Sequence, residues 1–256
     1  MSIFKTEWNV VYNVGVKCNA LDITTSAGVR YFSSPWDNMD STRGLVKTAK
    51  LMANGFDKYM DDISDWMEKP ARKHKMGRKN PNVQRKDYHL QRPDLYYPHV
   101  DYEWVSNHVT RKEYNSWYGY EKSFDIIWEG FSDTFKRRQN RMTSILKSEN
   151  KVLLLRIDDD HPTTHRIICK YNTTKHINEF MEIMTNAFPK KDWGFLYLYD
   201  DESRDLSCDY DNCHLECIPS GKSGYRENWI VDKLKELNVQ PRDEMKLYNF
   251  KENVRK

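Results

Sequence analysis

Apolar residues along this chain follow two rhythms. One is the unbroken apolar run. NVVYNVG (9–15) is rich in β-branched and aromatic residues, the pattern of a buried strand. KVLLLRI (151–157) is the strongest such run, and WGFLYLYDD (193–201) is a third. GVRYFSS (28–34) and YYPHVDYEW (96–104) predict shorter strands. The other rhythm is helical. Leu45, Val46, Ala49, Met52, Ala53 and Phe56 share one helical face, which predicts one or two helices over 43–67. Ile177, Phe180, Met181, Met184 and Phe188 repeat at i, i+3, i+4. A helix or turn is predicted from about Lys17, and further helices over 121–148 and near 227–237, where Pro241 stops the last.

Strand, helix, strand, helix, strand is the order of an α/β fold. The expectation is a Rossmann-like, mostly parallel sheet with crossover helices. It forms a single α/β domain over 1–256, with a basic loop or insert at about 68–94. That insert, EKPARKHKMGRKNPNVQRKDYHLQRPD, carries many Lys and Arg and almost no core residues. It reads as a solvated loop or as an arm for an anionic partner.

Composition narrows the class. The chain has 256 residues with an aromatic share of 13%, enough for a substantial core. Net charge is +3, so no specific nucleic-acid partner is expected. No stretch of 18 apolar residues predicts a membrane span, and MSIFKTEWNV lacks the apolar core of a signal peptide. Five cysteines, an odd number, then read as reduced thiols in the cytoplasm.

Candidate chemistry clusters at the ends of the predicted strands, where α/β sheets bind ligands. The turn Gly15, Lys17, Cys18, Asn19 leaves backbone N–H groups that suit a phosphate, and that equally activate Cys18 as a thiolate. Cys18 as an ordinary buried residue is the third alternative. No G-x-G-x-x-G is present. Asp158 and Asp160, in LLLRIDDDHP, have the Asp-x-Asp spacing with which glycosyltransferases hold a divalent cation against a nucleotide-sugar; an acidic turn is the plainer reading. YDDE (199–202) is a second acidic strand end of the same kind.

On a wheel of about 100° per residue, Arg138 falls inside the face formed by Phe131, Phe135, Met142, Ile145 and Leu146, with Arg141 at its edge. Arg156 lies within a buried strand. Each arginine so placed needs an anion, either a structural carboxylate or a substrate phosphate. SCDYDNCHLEC groups Cys208, Cys213, His214 and Cys217, which are zinc-ligand types without a double C-x-x-C; alternating strand positions explain them equally. His99, two residues before Asp101, has the makings of a general base.

Taken together, the strand leading into G-x-x-C, YFSSPWD, GFDKYM, a P-H-x-D stretch, and KRRQNRM leading into KVLLLRI resemble a family catalogued as papain-like cysteine peptidases of unestablished function. Its members occur in bacterial polysaccharide clusters and large DNA viruses. The likeness spans roughly 9–200. Trp36 stands where the family usually has Phe, so the packing of that turn differs. The family label implies Cys18 as nucleophile and His99 as base. The gene company implies glycan assembly. More loosely, the chain is similar to glycosyltransferases with which chloroviruses decorate their capsid glycan, which would place it in a host cytoplasm.

The leading expectation is a glycosyltransferase moving a sugar from a nucleotide-sugar, UDP-linked first, to a glycan acceptor hydroxyl. Gly15, Lys17, Cys18, Asn19, Arg138, Arg141 and Arg156 would hold the donor. Asp37, fixed by Pro35 and Trp36, would be the base, with Asp158 second. Trp36, Tyr96, Tyr97 and His99 would meet the acceptor. Mn²⁺ or Mg²⁺ on Asp158 and Asp160 would neutralise the diphosphate. The alternative is a cysteine peptidase or acyl-transfer enzyme using Cys18 and His99. A third reading is a non-catalytic protein whose basic arm docks on an anionic polymer.

Overall fold

The computed structural model describes residues 2–15, 20–36, 44–57, 124–148, 150–158, 172–189, 192–200 and 202–242 (the side chains of 124–131, 134 and 223 excepted). It also describes the backbone of short strands within 39–100. Lys17, Cys18, Asn19, Asp37, Tyr96, Asp101 and Asp160 lie outside the described residues.

The centre is a four-stranded, all-parallel sheet. Its strands are β2 (Val10–Asn13), β9 (Val152–Asp158), β10 (Trp193–Tyr199) and β11 (Cys213–Cys217), in the spatial order β11-β10-β9-β2. The fold is thus mixed α/β with a parallel sheet, as the strand and helix rhythms predict. Parallel sheets are buried on both faces, which is why β2, β9 and β10 read as near-continuous apolar runs, while edge strand β11, Cys-His-Leu-Glu-Cys, is only partly buried. Alternate residues feed two cores. Val10, Tyr12, Val14, Val152, Leu154, Phe195 and Tyr197 point to one. Val11, Leu153, Leu155, Ile157, Leu196 and Leu198 point to the other.

Helices cover both faces. On the first face lie α2 (Leu45–Ala53), α3 (Phe124–Lys147) and α4 (Thr174–Ala187). On the second lie α1 (Ala20–Ser26) and α5 (Ser223–Lys235). Among the described residues no helix is long and apolar enough to cross a membrane.

Two-residue strands β1 (Glu7–Trp8) and β12 (Asn238–Val239) pair in parallel and bring distant parts of the chain together. In the basic region, β4 (Met67–Lys69), β5 (Lys73–Lys75), β6 (Gln84–Lys86) and β7 (Tyr88–Gln91) form antiparallel pairs in place of a plain loop. β7 continues to β8 (Tyr97–Val100), which pairs with β3 (Met39–Asp40).

The strand expected at 28–34 does not form; that backbone wraps the end of β2. Ser34 Oγ donates to the Asn13 carbonyl at 2.5 Å and accepts the Trp36 N–H at 3.1 Å. The segment is fixed by a side chain instead of a ladder.

Candidate active site at the carboxyl edge of the parallel sheet

Arg156 and Asp158 are two residues apart on β9 and so share a face. Both are buried, with side chains 1% and 0% exposed. Arg156 Nε donates to Asp158 Oδ1 at 2.9 Å, and Nη1 reaches the Val14 carbonyl beyond the end of β2 at 3.4 Å. Asn172 Nδ2 donates to Asp158 Oδ2 at 3.0 Å. The Tyr197 hydroxyl donates to the same oxygen from β10. Arg204 Nη2 then donates to the Asn172 carbonyl at 2.5 Å and to the Tyr197 oxygen at 3.2 Å. Its guanidinium lies 5.5 Å from the Tyr199 ring centre. Charges taken out of water are costly, and extra hydrogen bonds of this kind are what make a buried pair tenable.

The same environment acts on Tyr197. Burial first, and the Asp158 carboxylate second, push its pKa far above the ordinary tyrosine range. The hydroxyl is therefore a held donor. Both Asp158 oxygens are occupied by it, Asn172 and Arg156. Asp158, expected as second-choice base and metal ligand, is thus buried and held by Arg156, Asn172 and Tyr197 among the described residues.

Around the end of β2, Gly15 takes φ +102°, a backbone that side chains rarely adopt. Tyr12 stacks on Phe32 with centroids 6.4 Å apart, and the Arg141 guanidinium lies 5.5 Å over Phe32. Arg141 from α3 and Arg156 from β9 therefore both approach the β2 end. Arg138 does not enter the core: it is half-buried, 5.1 Å over the Phe135 ring, and Gln139 occupies the buried position beside it. The core stripe of α3 runs through Phe135, Gln139, Met142 and Leu146, with Gln139 one residue on from the expected arginine.

Trp36 is wholly buried and tilts against Phe56 at 5.5 Å, so its ring is a core element and not a platform for a sugar. Phe56 reaches it from a left-handed backbone, φ 62°. Tyr97 and His99 lie on β8, where His99 is in register with His89. The Cys/His cluster divides. Cys208, Cys213 and Leu215 pack against the first core, with Cys217 two strand positions further along. His214 faces the other way and meets Glu216 at 3.2 Å and the Phe4 ring at 5.2 Å. Among the described residues no three His, Cys, Asp or Glu gather as a metal group.

Sequence reading missed Asn172, Tyr197, Arg204 and Asn13. Asn13 is 5% exposed, and among the described residues neither polar atom of its amide has a hydrogen-bond partner. A polar residue inside NVVYNVG was the available signal. No protein-family model, curated protein or solved structure matches this chain.

Proposed function

We propose that the protein is a glycosyltransferase that binds a nucleotide-sugar at the carboxyl edge of its parallel sheet and transfers the sugar to a glycan hydroxyl. The observation that supports this reading is the meeting, at one edge, of the Gly15 turn, the Arg156–Asp158–Tyr197 network, Arg204 and Arg141. Open α/β sheets bind ligands outside the carboxyl ends of their strands. In this reading the four strands and their two helical layers form the donor half of a Rossmann-like fold.

Arginine forks suit phosphate oxygens, and positive groups aimed at a departing diphosphate stabilise the transition state. Arg141 and Arg204 take that role, and Gly15 lets the donor approach the backbone. Asp158 acts through Arg156 by fixing its guanidinium. Asp37, one residue past the anchored Trp36, takes the proton from the acceptor hydroxyl. Mn²⁺ or Mg²⁺ would share the diphosphate charge, and Asp160 is its candidate ligand.

Thermal unfolding against UDP-, GDP- and CMP-sugars, with and without Mn²⁺, tests this. A ligand at 100 times its dissociation constant stabilises the fold by about 2.7 kcal/mol, which is a rise of roughly 5–10 °C for a chain of this size. One nucleotide class is expected to give that rise, and Arg141→Gln to abolish it while leaving the unliganded midpoint in place. A flat panel overturns the reading.

A further inference from the structure

Asn13 is the last residue of β2, at the carboxyl edge of the parallel sheet. Side chains alternate along a strand, and Tyr12 and Val14 belong to the first core, so Asn13 points with Val11 toward the second. Its register partner on β9, Leu155, belongs to the second core as well. The amide is thus a buried polar group among apolar neighbours, and among the described residues neither Nδ2 nor Oδ1 meets a hydrogen-bond partner. Burying such a group unmatched is costly, and folded proteins keep few of them.

The backbone that carries the amide is held from several sides. The Asn13 carbonyl accepts from Ser34 Oγ at 2.5 Å. The Val14 N–H donates to the Leu155 carbonyl at 2.8 Å, and the Val14 carbonyl accepts from Arg156 Nη1 at 3.4 Å. Gly15 follows with φ +102° and no Cβ to crowd the approach. An amide on so fixed a strand end is preorganised for a ligand.

The chemistry of an amide selects that ligand. A phosphate or carboxylate would use the Nδ2 donor and leave Oδ1 bare, and a cation would do the reverse. A neutral group with a donor and an acceptor side by side satisfies both. A pair of sugar hydroxyls offers this, but the other hydroxyls would enter apolar surroundings unmatched. A pyrimidine base offers it on one edge of a small flat ring.

We propose that Asn13 reads the base of a pyrimidine nucleotide. Nδ2 donates to O4 of uracil or N3 of cytosine, and Oδ1 accepts from N3–H of uracil or N4–H of cytosine. That the ligand is a nucleotide rests on the transferase reading; the neutral, paired character of the site does not. The amide is enclosed, so the base enters by local opening of this edge, and association is slower than into an open cleft.

The test is calorimetric titration of the whole protein with UDP, CDP and GDP, which share a diphosphate and differ in the base. Wild type is expected to bind UDP or CDP on the order of tenfold more tightly than GDP, the factor that corresponds to 1.4 kcal/mol. Asn13→Leu, close to Asn in shape and without polar atoms, should lose about that factor and bind the three alike. It should also melt at or above the wild-type midpoint, because it no longer buries a bare amide. Asn13→Ala gives the same binding readout if the leucine does not fit. Equal binding of the three nucleotides by wild type, unchanged in the variants, overturns the base reader and leaves the transferase reading standing. GDP binding weakened by the variants overturns the pyrimidine. Both variants melting well below wild type show an amide satisfied inside the fold and overturn the site. A pyrimidine preference that the variants lose, with no response to any nucleotide-sugar, keeps Asn13 as the base reader and removes the transferase. No response to any of the three nucleotides overturns the proposal.

Discussion

Tyr197 keeps its proton because its hydroxyl is shut in with a carboxylate, and that has a signature in pH. Its pKa in the folded protein is raised, so the folded state holds the proton more tightly than the unfolded chain. The resulting stability is complete below about pH 10, where the unfolded tyrosine ionises, and is lost as pH rises beyond it. Tyr197→Phe removes a hydrogen bond to a buried carboxylate and should cost about 1–3 kcal/mol at neutral pH. Above pH 10 that deficit should shrink by up to about 1.4 kcal/mol per unit, because only the wild type carries the linkage. Denaturation curves of both proteins between pH 7 and 11 check this. Parallel losses would mean that Tyr197 titrates normally. Half of this network was legible in the chain. Arg156 inside an apolar strand demands an anion, and Asp158 is the next residue on its face. Asn172 and Tyr197 are 14 and 39 residues from Asp158, and only the strand register and an intervening segment bring them in.

At the scale of elements, glycine inside a strand marks a close approach. A Cβ built on Gly194 of β10 would lie 2.6 Å from Trp8 Cη2. The Trp8 ring is buried and held by its indole N–H, which donates to the Ile3 carbonyl at 2.8 Å. It has little room to yield. In an open strand Gly→Ala would gain about 0.5–1 kcal/mol from backbone entropy. Here Gly194→Ala is expected to lose about 1–3 kcal/mol by overpacking, read from urea denaturation. A gain would show that Trp8 can move aside. The long elements were readable because burial imposes their rhythm: β2, β9, β10 and α4 appear where apolar runs or i, i+3, i+4 spacing place them. Other features carry no such rhythm. β1 and β12 are two residues each, and 28–34 is apolar because it wraps the core without joining a sheet. On α3 the wheel found the helix and its apolar face through Phe135, Met142 and Leu146, and missed only that Gln139, which looks like a surface residue in sequence, takes the buried place beside Arg138.

At the scale of the molecule, the sheet is laid down in chain order from β2 to β11, so its first and last strands are on opposite edges. Beside the β1–β12 pair, a small polar tie links the early and late parts of the chain. Asn9 Oδ1 accepts the Lys151 N–H at 2.9 Å, just before β9, while Asn9 Nδ2 donates to the Gln240 carbonyl at 3.0 Å. The Gln240 N–H returns to the Trp8 carbonyl at 2.7 Å. One amide therefore joins segments 142 and 231 residues away. Long closures of this kind cost chain entropy that grows only slowly with length, so two good bonds can hold them. Asn9→Ala removes both bonds and should lower stability by about 1–3 kcal/mol. For a chain of this size that is a fall in the unfolding midpoint of several degrees, roughly 2–4 °C per kcal/mol. Asn9→Asp keeps the acceptor for Lys151 and loses the donor to Gln240, so it should fall about half as far. If both variants melt with the wild type, the β1–β12 pair closes the chain without Asn9, and the tie is a consequence of the fold and not one of its supports.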